Sequence, residues 1–291
     1  MQKNIMEIGK IYFTNRDKEL PKPIKEITKE LSNEIKQAYI ILHEFDYFQR
    51  RLLELKFNKD DFFRTISRYE KLYREDEESS SLGYDYKRKG FVDINRAFIN
   101  YTSCFKLFVE HILNDLKAKF GKKSDKHNEL VKFTNNLYDG YLSYRLLIRL
   151  RDFALHRRYP IQSVHYDREI TKGNNYNYKV NVQFNKSIFL ENTKLNKIFK
   201  NDFKAYGELF DVEPFVNELM PHIEALFKKY ISITGDYFTK SADLINSLFE
   251  EAGTVNIGIT IIEMDGGLAK YNTEIIPVQM SLDFYQFLDK S

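Results

Sequence analysis

Apolar side chains recur at steps of three and four along most of the first 157 residues. Ile24, Ile27, Leu31, Ile35, Ala38, Leu42, Phe45 and Phe48 predict a helix over roughly 22–57, with Pro21 and Pro23 at its start. Phe62, Phe63, Ile66 and Tyr69 continue as a second helix, from Asp60 or Asp61 to Tyr73. The clearest stripe is Ile94, Phe98, Tyr101, Phe105, Phe108, Ile112 and Leu116, which predicts a helix over 92–119 closed by Gly121. Two more helices are expected at 124–138 and 141–157, separated by Asp139-Gly140 and limited by Pro160. Between the second and third helices, Arg74-Glu75-Asp76-Glu77-Glu78 and Ser79-Ser80-Ser81-Leu82-Gly83 read as an exposed loop over 75–90.

After about residue 165 the pattern changes. Val180, Val182 and Phe184 alternate as a strand does, and helical spacing returns at 194–206 and 213–248, where Pro214 and Pro221 are expected to interrupt. Val255, Ile257, Ile259 and Ile261 alternate again, Asp265-Gly266-Gly267 reads as a hairpin turn, and 272–280 as a second strand. The expected fold class is therefore mainly α: a helical domain over 1–165, followed by a smaller α+β domain over 166–291. Strands are expected only after residue 165.

Composition narrows the classes. Apolar residues make up 43% and charged residues 30% of the 291, a globular balance with enough chain for a sizeable core. The net charge of +3 gives no argument for nucleic acid from the whole chain, so only a local patch could. Cys104 is the single cysteine, which rules out an internal disulfide and fits a reduced, cytoplasmic setting. No apolar run approaches the roughly 18 residues of a membrane span. The histidines have no metal-ligand spacing, since Tyr47 stands four residues after His43 where a zinc-protease motif needs a second histidine. No metal or cofactor is expected.

The chemistry concentrates in 141–157. At 100° per residue, Arg145, Arg149, Asp152 and His156 share one stripe, while Arg151 falls among Tyr144, Leu147, Ile148 and Leu155. An arginine among apolar positions is costly unless it is paired or opens on a polar cleft. Asp152 and His156 are neighbours at i and i+4, and a histidine under competing charges suits proton transfer near neutral pH. From 145 to 158 there are five arginines (145, 149, 151, 157 and 158) against one acid, a cationic patch suited to a phosphodiester. Arg145, Arg149, Arg157 and Arg158 are thus candidate phosphodiester contacts, which the resemblance given below makes RNA contacts. Glu110 and His111 are further candidates for the cleft. The competing structural reading is that Arg151 pairs with a core carboxylate and His156 ends the helix.

Arg151-Asp152-Phe153-Ala154-Leu155-His156 resembles the Arg-x-x-x-x-His motif of the HEPN superfamily, including a polar residue just after the arginine. The resemblance implies a HEPN-like helical bundle with the motif near the end of a late helix. It also implies a metal-independent endoribonuclease of toxin or abortive-infection type, with active sites formed where two motifs meet across a homodimer. Arg151 would bind the scissile phosphate, His156 would move the proton, and Asp152 would orient or tune His156. Products would carry 2′,3′-cyclic phosphate ends. RNA, a second copy of the chain and an antitoxin or regulatory partner are the implied partners, with no membrane. HEPN toxins paired with nucleotidyltransferase antitoxins often carry a tyrosine two residues after the histidine; Arg158 stands there instead and Tyr159 comes one residue later, so neutralisation by tyrosine modification is not expected. The alternative within the same resemblance is a non-catalytic nucleotide- or partner-binding module.

Overall fold

The computed structural model describes residues 6–10, 22–79, 85–170, 176–252, 258–265, 268–271, 276–277 and 279–289. It is mainly helical with smaller β portions, and divides into two compact units. One comprises 1–50 with 231–291, the other 51–230. The boundary expected at residue 165 does not coincide with this division.

In the first unit, β1 (Met6–Lys10) pairs antiparallel with both β2 (Lys22–Ile27) and β6 (Gly258–Asp265). Strands therefore occur before residue 165, contrary to expectation. The helix expected from 22 begins instead at Lys29. Pro23 cannot donate a ladder hydrogen bond, and β2 lies at the sheet edge, where that donor is dispensable. Thr28 then starts helix α1 (Lys29–Ser79): its hydroxyl accepts from the Leu31 amide at 3.2 Å. Within this unit Ile35, Leu42 and Phe45 are fully buried or nearly so, and Phe45 meets Phe238 and Phe284 edge-on. In the same sheet Asp265 pairs with Leu268 of β7 (Leu268–Tyr271); the turn residues Gly266 and Gly267 lie outside the described residues. The second strand expected over 272–280 is replaced, among the described residues, by a short β8 (Ile276–Pro277) and a helix from Gln279.

The second unit carries the motif. Its part of α1 shows no break at 57–61, because neither Gly nor Pro stands there, and Asn58 returns its side chain to the Glu54 carbonyl at 2.9 Å. The acidic run at 75–78 is likewise helical. Glu77 is paired with Arg168 at 3.0 Å, and the next helix, α2 (Asp85–Phe120), already includes 85–90. Of the exposed loop expected over 75–90, residues 75–79 and 85–90 are helical, and 80–84 lie outside the described residues.

Every member of the stripe from Ile94 to Leu116 is completely buried. Gly121 ends α2 with φ +86°, a left-handed conformation that costs a side chain about 1–2 kcal/mol. Helices α3 (Asp125–Gly140) and α4 (Leu142–His156) pack on α2 and on each other. Tyr144 of α4 lies edge-on to Phe105 of α2 at 5.0 Å.

After α4 the chain is clasped by a buried asparagine. Asn95 donates to the Ile161 carbonyl and accepts from the Ile161 amide, both at 3.0 Å. This fixes where the backbone leaves the motif helix. It then enters β3 (Ser163–Ile170), β4 (Tyr176–Asn185) and, after two short helices, β5 (Leu209–Asp211), an antiparallel sheet in that order. Val180, Val182 and Phe184 of β4 face inward, as their alternation indicated. The short helices are α5 (Lys186–Leu190) and α6 (Thr193–Phe199).

Helix α7 (Glu213–Ala252) runs unbroken past both prolines. Pro214 sits in the first turn, where its missing N–H is not needed. Pro221 forfeits one bond, but Leu219, Ile223 and Leu226 around it are fully buried, and that packing offsets the loss. Among the described residues, no helix is long and apolar enough to cross a membrane.

Candidate functional site

Helix α4 buries Ser143, Tyr144, Leu146, Leu147, Leu150 and Phe153. Arg151 and Asp152 lie at the margin of that face, and His156 is exposed at its C-terminal end. Asp152 is the hub. Lys106 of α2 donates to its Oδ1 at 2.7 Å, and Arg151 donates to the same oxygen at 3.2 Å. Lys106 also lies 3.9 Å from Glu110, so the acid on α2 joins the cluster through the lysine. Partial burial would raise the Asp152 carboxyl, but the hydrogen bonds from Lys106 and Arg151 outweigh it and hold the carboxyl below its ordinary value. Asp152 is therefore a fixed carboxylate at neutral pH.

His156 has no hydrogen-bond or ion-pair partner among the described residues. It opens into a groove of about 430 Å³. One wall comes from α4 and its exit: Arg149, Asp152, Phe153, His156 and Arg157. The other comes from α6 and the residue that starts it: Asn192, Lys194, Leu195 and Ile198. Three cations thus face one carboxylate, and that carboxylate is itself held by two cations from outside the groove lining. Such a groove can hold an anion beside an unpaired imidazole.

The arginines divide by task. Arg149 and Arg157 line the groove; Arg149 also donates to the Tyr138 hydroxyl at 3.0 Å. Arg145 is committed elsewhere. It donates to the carbonyls of Tyr138 (2.6 Å) and Asp139 (3.0 Å) at the end of α3, and pairs with Asp202 at 3.0 Å. It ties α3 to the segment after α6, and its side chain is only 14% exposed, so it is a structural cation and not a free RNA contact. Arg158 is exposed, 3.7 Å from Glu191, and outside the groove lining.

Arg151 does not line this groove, so within one chain it and His156 do not face the same groove. Five residues apart on a helix, the two side chains point about 140° apart. Asp152, next to one and a turn from the other, is hydrogen-bonded to Arg151 and shares the groove lining with His156. No hydrogen bond joins Asp152 to His156, whose orientation is therefore not set by that carboxylate.

The expectation from sequence missed Lys106, Lys194, Asn192 and Ile198. Lys106 left a faint trace, as a lysine four residues before Glu110 on the polar flank of the Ile94–Leu116 stripe. The others reach the groove only through tertiary packing: Phe153 of α4 meets Phe189 of α5 edge-on at 5.5 Å, which brings the following α6 alongside.

Among the described residues, no group of three or more His, Cys, Asp or Glu side chains is placed to hold a metal ion. No family model, curated protein or solved structure matches this chain.

Proposed function

We propose that the chain is a HEPN-type endoribonuclease, of toxin or anti-phage kind, that cuts RNA by using the RNA's own 2′-hydroxyl. One observation carries the reading: an open, unpartnered His156 in a cationic groove, one helical turn from a carboxylate fixed by Lys106 and Arg151. His156 accepts the 2′-hydroxyl proton as the 2′-oxygen attacks phosphorus. The bond from phosphorus to the 5′-oxygen breaks, and that oxygen takes the proton from the imidazolium, giving a 2′,3′-cyclic phosphate and a 5′-hydroxyl and returning His156 to its neutral form. Arg149 and Arg157 hold the phosphate and stabilise the charge that develops on it. Lys106 and Arg151 keep Asp152 ionised at the edge of the groove that His156 lines. A two-fold dimer would bring a second motif to the same phosphate, and light scattering at micromolar concentration tests for it.

The test is cleavage of RNA by the purified protein in the presence of a chelator, beside His156→Ala. A cut that needs added divalent metal, or that survives the loss of His156, opposes the proposal. The second reading, a non-catalytic nucleotide- or partner-binding module, is favoured by Arg151 being held on Asp152 instead of lying open in the groove. RNA that binds tightly yet stays intact under every condition would select it.

A further inference from the structure

The groove has two kinds of wall. Towards α4 lie the cations and His156. Towards α6 lie one cation, Lys194, and the half-buried side chain of Ile198, with the buried Leu195 and Phe153 reaching the groove at their edges. A site for phosphate alone has no use for those apolar groups. From these two walls we infer that α6 forms a nucleotide subsite. The base of one unpaired nucleotide rests on Ile198, and its phosphate is held between Lys194 and Arg157. The inference rests on the reading of this groove as an RNA site.

Three observations support it. The first is size: at about 430 Å³ the groove lies near the lower end of the roughly 300–1,000 Å³ typical of small-molecule sites. That is room for one nucleotide. The second is chemistry. A duplex buries its bases in the stack and presents backbone, so an apolar wall beside cations can be used only by a base that has left the stack.

The third is preorganisation. The Asn192 side chain accepts from the amides of Lys194 (3.0 Å) and Leu195 (3.3 Å), and Asn196 donates to the Leu190 carbonyl at 2.8 Å. Phe189 and Phe199, on either side of this segment in sequence, are completely buried. The wall is therefore fixed before ligand arrives, and its ordering does not weaken binding. Lys194 is exposed and has no ion-pair partner among the described residues.

The experiment measures binding, so that it does not depend on cleavage. Fluorescence anisotropy is recorded for a labelled single-stranded RNA decamer and for the same decamer in a duplex, using the full chain with His156→Ala to keep the RNA intact. Two groove variants are compared, Lys194→Ala and Ile198→Ser, with Ile198→Thr as a gentler third and a thermal melt of each. Lys194→Ala should weaken single-strand binding about 3- to 10-fold and make its salt dependence shallower by the equivalent of one phosphate contact. Ile198→Ser should weaken it several-fold at unchanged salt dependence, and Ile198→Thr less. Neither isoleucine variant should alter duplex binding. If Ile198→Ser and Ile198→Thr both fold and bind the single strand as the parent does, the base subsite is wrong. If Arg149→Ala and Arg157→Ala weaken binding while Lys194→Ala does not, RNA occupies the groove but α6 takes no part. If the parent protein binds neither RNA, the RNA reading itself falls, and the subsite with it.

Discussion

Gly90 and Gly235 both stand inside long helices, and nothing in the sequence separates them, yet alanine should act on them in opposite directions. A Cβ at Gly90 would lie 2.2 Å from the Tyr166 hydroxyl and 2.9 Å from Cδ1 of Tyr69. Neither ring is free to retreat. The Tyr69 hydroxyl is bound to Asp93 at 2.8 Å, and Tyr166 packs edge-on against Tyr73 and Tyr86. The Tyr166 ring would have to move by roughly 1 Å, an overpacking that costs about 1–3 kcal/mol. Helix propensity returns about 1 kcal/mol of this. The net loss should be up to about 2 kcal/mol, or up to roughly 6 °C in Tm. At Gly235 a Cβ would meet nothing within 4 Å, so Gly235→Ala should stabilise by about 0.5–1 kcal/mol. Thermal melts followed by circular dichroism read both. Removing the oxygen that clashes should help, so Gly90→Ala with Tyr166→Phe should recover most of the loss, a coupling of about 1 kcal/mol. A Gly90→Ala protein that melts at or above the wild-type temperature would refute the packing described here, as would a double variant no better than the single.

Three further outcomes can be checked. Asn95→Leu should destabilise by about 2–4 kcal/mol in a denaturant titration, because it leaves the buried amide and carbonyl of Ile161 unpaired; a loss below about 0.5 kcal/mol would mean that the clasp is not needed. Asp152 has its carboxyl depressed below the ordinary 3.8, so its pairing stabilises the fold fully above that pH and is lost as pH falls through the folded value. Melting temperatures of Asp152→Asn should therefore approach those of wild type below about pH 4, and equal spacing of the two curves at all pH would count against the pairing. Cys104 has its thiol pushed up to about 11 by burial and by the neighbouring Glu54, so iodoacetamide at pH 7.5 should modify it slowly until the protein is unfolded; rapid alkylation of the folded chain would show a thiolate that this environment does not allow.

The helices that pack on a single continuous stripe were legible in the sequence. The Ile94–Leu116 period needs no partner to be recognised, and each of its members is buried. What depended on distant partners was not legible. Met6–Lys10 is a strand because Gly258–Asp265 lies beside it, some 250 residues away in the chain. The acids at 75–78 were mistaken for a loop because a solvated helical face and a loop share the same composition; the ion pair from Glu77 to Arg168 is long-range. In the candidate site, the row Arg149, Asp152 and His156 follows from helical geometry alone, and the three do line one groove. Arg145 shares that row but is taken by the carbonyls at the end of α3, which no periodicity could indicate. Arg151 looked anomalous among apolar positions, and the anomaly was genuine. Its answer is a carboxylate one residue away, shared with a lysine from another helix.

The central claim is that His156 carries the proton in RNA cleavage. The direct measurement is single-turnover cleavage of an unstructured RNA in excess chelator by wild type and His156→Ala, with the product ends identified. Wild type should yield 2′,3′-cyclic phosphate and 5′-hydroxyl ends, and His156→Ala should keep its melting temperature and bind the RNA while losing about 10²-fold or more in rate. A folded His156→Ala protein that cuts as fast as wild type, or a wild-type protein that binds the RNA and leaves it whole, would contradict the claim.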